Sequence, residues 1–273
     1  MPFPEKYKPT VKALLEMESQ IVNGNLSQLN VKCYPMDFTA QGAPAFNPRF
    51  RFFEPVPAKL LLREVQEEDY DPVFPEFDEN NIITRGSPYH SALALWNFLS
   101  SYLKSYRSAK DPNTKILSAF GPKWFGFSEA EYQFRRPLHH ASSGTDWITM
   151  YLWDRLDRRF PHIKCTLISN EYVDKELPSS ELLLITRLMW QRRIRSMTLD
   201  HDIVPILVFS LMGTQHVRIL QAHFDGSTLI ILKSKTLDLT TKDDEALDLL
   251  GQWYCSDPVG NTMWDEPVRT RTV

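Results

Sequence analysis

Cysteine is nearly absent from this chain: Cys33, Cys165 and Cys255 stand far apart in 273 residues. No CxxC pair and no histidine at zinc-finger spacing accompanies them, which argues against a disulfide scaffold or a structural zinc site and predicts reduced, mostly buried thiols. Glycine is also scarce, at ten residues, and the glycine-dependent phosphate cradles GxxxxGK[ST] and GxGxxG are missing. So are GxSxG, HExxH and HxE with a CxxC pair, which removes the usual signatures of nucleotide-, serine- and zinc-dependent chemistry; sites assembled from residues distant in sequence escape such a search. No run of 18 apolar residues occurs, and the opening MPFPEKYKP has neither the apolar core nor the cleavage pattern of a signal peptide. These absences predict no membrane span and a cytoplasmic location. A formal charge of −3 offers no general attraction for nucleic acid.

What is present is ordinary for a globular protein, 42% hydrophobic and 24% charged residues. With no internal repeat, low-complexity run or Gly/Ser linker, the simplest organisation is a single α+β domain over residues 1–273. Its centre is the stretch 202–235, DIVPILVFSLMGTQHVRILQAHFDGSTLIILKSK. Ile203 to Met212 is apolar and rich in β-branched residues, Gly213-Thr214-Gln215 supplies a turn, and His216 to Phe224 forms a second run. Asp225-Gly226 tolerates the positive φ of a tight hairpin, so Thr228 to Leu232 folds back on the middle strand. The expectation is an antiparallel sheet, with a three-stranded meander over about 203–235, packed by several helices.

Helices are predicted from Pro9 to Gly24, from Ser87-Pro88 to Tyr106, from Asp146 to Phe160, from Pro178 to Ile194 and from Thr241 onward, each by apolar spacing of three to four residues and a capping signal. Residues 31–38 and 50–65 read as extended, and Lys164 to Val173 as a strand. The acidic stretch 64–79 reads as a surface loop pinned by Tyr70, Phe74 and Phe77. FGPKWFGF at 120–127 reads as an apolar loop that either lines a pocket or plugs the core. A capping box at Ser128 to Glu131 starts a short helix that Pro137 ends. The arginines at 187–195 lie near a helix C-terminus, where cations are favoured; a solvated face is the commoner explanation than an anion site.

Chemistry concentrates on the middle strand. Alternation puts Gln221, His223 and Asp225 on one face, and Arg218, Leu220, Ala222 and Phe224 on the other. The first three could orient a substrate and move a proton, imidazole titrating near neutrality; the plainer account is an exposed strand end with Asp225 as the hairpin residue. Arg218 on an otherwise apolar face must pair with an acid, reach solvent or bind an anion. His139-His140 has no further ligands to nominate and reads as a polar loop, so no metal site is expected. The helix, meander and helix invite comparison with the PD-(D/E)XK nuclease core, but Ile231 and Lys233 stand where carboxylates would be needed.

VPILVFSLMG, RILQAHFDGSTLIILKSK and WYCSDPVGNT resemble a group of proteins from filamentous ascomycete fungi, over mainly the last third of the chain. The resemblance brings no catalytic residues with it. It implies a background of fungal secondary metabolism, in which small cofactor-free proteins carry out cyclisation or isomerisation, including reactions of pericyclase and Diels–Alderase type. The corresponding expectation is a hydrophobic small-molecule substrate, no cofactor, and an aromatic pocket involving Trp124, Phe125, Trp147 and Tyr151, with Arg218 or His223 polarising a carbonyl. The alternatives are a non-catalytic interaction module, marked by an exposed apolar patch rather than a pocket, or a degenerate nuclease-like core.

Overall fold

The computed structural model describes residues 7–38, 51–63, 72–78, 80, 87–109, 111–115, 124–127, 134–141, 146–155, 160–195 and 201–263. Among these residues fourteen strands follow in chain order. They are β1 (Val31–Pro35), β2 (Phe53–Glu54), β3 (Leu61–Arg63), β4 (Tyr106–Ser108), β5 (Asp111–Lys115), β6 (Trp124–Phe127) and β7 (His139–Ala141). The second half contributes β8 (Asp146–Arg155), β9 (Ile163–Ser169), β10 (Ile206–Met212), β11 (His216–Phe224), β12 (Leu229–Lys233), β13 (Leu237–Asp238) and β14 (Asp257–Pro258). The α-helices among the described residues are α1 (Lys8–Val22), α2 (Pro88–Tyr102), α3 (Ser179–Arg195) and α4 (Asp244–Tyr254).

The fold is α+β. The meander β10-β11-β12 pairs antiparallel as its turns require, with Gly226 at φ 101° in the second hairpin. It is the middle of something larger. A nine-stranded sheet runs in the order β1-β12-β11-β10-β9-β8-β6, with β13 beside β11 and β7 beside β8. The expected all-antiparallel sheet is corrected to a mixed one, because β1 runs parallel to β12 and β9 parallel to β10. Parallel neighbours need a crossover, and α3 supplies it between β9 and β10. Every residue of β9 and β10 is buried, as strands covered on both faces should be.

One face packs Leu14 and Ile21 of α1 and Leu184, Ile185 and Leu188 of α3 on Leu167, Val208 and Leu220. The other packs Leu95 and Leu99 of α2 and Leu247 and Leu250 of α4 on Phe209, Leu211 and Ile219. Helix α4 starts at Asp244, three residues later than the sequence suggests, because the Asp243 carboxylate accepts the amides of Glu245 and Ala246. Of the loop pins, Phe74 packs edge-on to Phe98 with ring centres 5.0 Å apart, while Tyr70 lies outside the described residues, as does the 128–131 capping box. Cys165 and Cys255 are buried free thiols, and Cys33 is exposed. No described helix is long and apolar enough to cross a membrane.

Two further expectations are overturned. The helix placed over 146–160 is strand β8, joined antiparallel to β9. Its register skips between Thr149 and Leu152, which face Leu167 and Cys165, so a bulge inserts one residue. That insertion turns the two-residue alternation into spacings of three and four, which mimic a helix. His139-His140 is likewise a strand, β7, paired with Ile148 and Trp147 rather than a loop.

Candidate functional site

Arg218 is fully buried and points toward α3. Its Nε and Nη2 donate to the two carboxylate oxygens of Glu181 at 2.8 and 2.6 Å. The remaining hydrogens go to the carbonyls of Val173, Asp174 and Glu176. A guanidinium has five N–H donors, so five acceptors saturate it. Of the three fates open to this arginine, pairing with an acid is realised, and the pair is a clamp that holds the 173–176 loop against the sheet.

Gln221 and His223 lie on the opposite face, as alternation requires. The Gln221 Oε1 accepts the amides of Phe52 and Phe53, both at 3.0 Å. The His223 ring packs on Phe52 with centres 4.8 Å apart. Burial, only partly opposed by the Asp225 carboxylate, pushes the His223 pKa down to about 4. Asp225 takes its hairpin role: although partial burial works to raise its pKa, amides donated by Thr228 and Ser227 and the Ser227 hydroxyl hold it below the usual carboxylate range.

Two polar residues missed in the sequence complete this face. The Lys164 Nζ donates to the carbonyls of Tyr254 and Ser256 at the C-terminal end of α4, and the His162 Nε2 meets the Val259 carbonyl at 3.1 Å. The pattern His-x-Lys at the start of β9, with His162 just before the strand, and Gln-x-His on β11 was the available signal. Register carries it into a cluster: Lys164 pairs with Leu207, and Leu207 with Gln221. Gln221, Lys164 and His162 grip the backbone of the short ribbon made by β2 and β14 and its flanks, and His223 packs on the Phe52 ring beside them.

The aromatic set is divided. Trp147 is buried in the core beneath α3, with the Arg187 guanidinium 5.8 Å from its ring centre. Tyr151 is 41% exposed and stacks between Trp96 and Trp153, so these two do not line one pocket. Trp124 and Phe125 pair through their backbones with Arg155 and Asp154; their side chains lie outside the described residues. At the end of α3, the expected solvated face is corrected: Arg192 and Arg193 are buried, the first on Asp154 and the second on the His201 carbonyl.

An open cleft lies where the sheet divides. β12 stops at Lys233, and the chain returns to β11 only at Leu237, opposite Val217. Between them Ser234 bridges the gap, its amide donating to the Ile219 carbonyl and its hydroxyl accepting the Ile219 amide at 2.9 Å. The resulting cleft holds about 830 Å³, within the range of small-molecule sites. Met36, Phe38, Ile219, Leu237 and Leu249 form its apolar lining, and Asp37, Asp174, Lys175, Lys233 and Lys235 its charged rim. The Lys233 Nζ donates to the Asp174 and Lys175 carbonyls at 2.7 and 2.8 Å, and the Thr236 hydroxyl donates to the Asp174 carboxylate. The loop clamped by Arg218 is therefore one wall of the cleft.

Among the described residues no three His, Cys, Asp or Glu side chains are grouped to share a metal ion. Compared with known proteins, the chain matches no family model, no curated protein and no solved structure, so the reading of its function rests on this cleft and its frame.

Proposed function

We propose that the chain binds a hydrophobic small molecule in the cleft beside Ile219 and rearranges it without a cofactor, as a cyclase or isomerase of fungal secondary metabolism. The observation that carries this reading is the composition of the cleft: a mostly apolar floor of about 830 Å³ with a few charged groups on a fixed rim. Such reactions need a substrate held in a reactive fold and one or two donors placed at developing charge. The floor answers the first need. For the second, the ammonium groups of Lys175 and Lys235 replace Arg218, whose donors are all engaged, and His223, which Phe52 covers.

The neutral fluorophore N-phenyl-1-naphthylamine tests binding: saturable one-to-one fluorescence is expected, and Leu237→Glu should abolish it with the circular dichroism unchanged. A cofactor-free rearrangement conserves mass. Deleting the gene from its source organism should therefore exchange one metabolite for another of identical mass. An unchanged metabolite profile together with the loss of a protein complex would favour the interaction-module reading, which the exposure of Lys32, Cys33 and Pro35 on β1 supports. That strand ends the sheet among the described residues, though a lysine and a proline are also the usual protections of such an edge.

A further inference from the structure

We infer that the ligand of this cleft is a free amphipathic anion, with its hydrocarbon on Met36, Phe38 and Leu249 and its carboxylate or phosphate head at Lys175 and Lys235. The inference rests on the small-molecule reading above and adds the charge of the ligand. Three lysines face two aspartates on the rim. The lysines of the rim thus outnumber its aspartates by one, and the Asp174 carboxylate is turned to the Thr236 hydroxyl, which donates to it at 2.7 Å. Lys233 spends two of its three hydrogens on the Asp174 and Lys175 carbonyls. Lys175 and Lys235 form no ion pair among the described residues, and both are exposed. Each therefore presents an ammonium to the mouth of an apolar cleft, where a charged head group would be met without the cost of breaking an existing pair.

The placement is also firm. Lys175 sits on the loop that Arg218 holds through the carbonyls of Val173, Asp174 and Glu176, and Lys235 follows Ser234, whose hydroxyl donates to the Lys235 carbonyl at 2.6 Å. A head group bridging the two would find donors whose backbone is fixed before binding, which reduces the ordering cost. Arg218 is thus a positioning residue for the anion, not a contact.

The test measures displacement of N-phenyl-1-naphthylamine from the full chain by decanoate, decyl phosphate and 1-decanol. Decanoate and decyl phosphate should bind about tenfold more tightly than the alcohol, and high salt should narrow the gap. In Lys175→Glu/Lys235→Glu the preference should vanish while the affinity for 1-decanol stays the same. Lys12→Glu on α1, away from the cleft, should leave the preference intact. Equal affinity for acid and alcohol, or a preference that survives the double substitution, would overturn the anion assignment while leaving the small-molecule reading in place. Failure of the fluorophore itself to bind would remove both. Binding to phosphatidylglycerol vesicles with no response to free decanoate would replace the free anion by a lipid surface.

Discussion

At the scale of single residues, buried polar groups divide into those that titrate and those that clamp. His223 titrates. Its folded pKa of about 4 lies below the ordinary value near 6.5, so the unfolded chain binds the proton more readily. Its contribution to stability is full above about pH 6.5 and shrinks as the pH falls toward 4, by about 3 kcal/mol in all. Urea unfolding of the wild type against His223→Gln across this window should show the variant with the shallower slope; parallel curves would mean that the folded ring takes up its proton normally. Arg218 clamps. Arg218→Met leaves the Glu181 carboxylate charged and fully buried, and should cost about 4 kcal/mol. Adding Glu181→Leu should cost little more, because the second substitution removes the orphaned charge. Gln221→Leu strands the amides of Phe52 and Phe53 and should lower the unfolding free energy by about 3 kcal/mol.

At the scale of elements, what could be read in advance was whatever repeats with one period. The meander, its Asp225-Gly226 hairpin and the opposite orientation of Arg218 and His223 all follow from alternation that runs unbroken from Val217 to Phe224. β8 was misread because its bulge breaks that period, although Trp147, Ile148, Thr149, Tyr151 and Trp153 are residues that favour strands. The polar cluster that His162 and Lys164 form with Gln221 and His223 was missed for a different reason: the two pairs lie far apart in sequence, and only the pairing of β9 with β10 and of β10 with β11 brings them together. The cleft was not legible at all. It arises from three residues that leave the ladder after Lys233, and nothing in SKT at 234–236 advertises a departure. Helix α4 carries its own test. A Cβ on Gly251 would stand 2.8 Å from the Tyr106 ring, whose hydroxyl donates to Asp248 of the same helix at 2.6 Å. Alanine should raise helix propensity by about 1 kcal/mol yet destabilise the protein by about 1–2 kcal/mol net through overpacking. A higher melting temperature for Gly251→Ala would show that the ring yields freely.

At the scale of the whole molecule, the two apolar clusters are the two sides of one sheet, so β9, β10 and β11 belong to both. Neither can lose its packing while the other keeps an intact set of strands. Calorimetry should accordingly give one cooperative transition, and two separated peaks would mean that the sheet divides before it melts. Dialysis against EDTA should leave that transition and the binding of N-phenyl-1-naphthylamine unchanged. A loss that a single divalent metal restores would instead revive the nuclease-like reading.

The hydroxyl of Ser234 occupies the position at Ile219 that a neighbouring strand would otherwise fill. The Ile219 amide is consequently released by the rotation of one side chain, without any unzipping of the ladder around it. Its exchange with deuterated solvent should run well ahead of the amides of Leu220 and Gln221, while a molecule lodged in the cleft would slow it. One backbone hydrogen thus becomes an isotopic clock for occupancy, readable by nuclear magnetic resonance before any substrate is known.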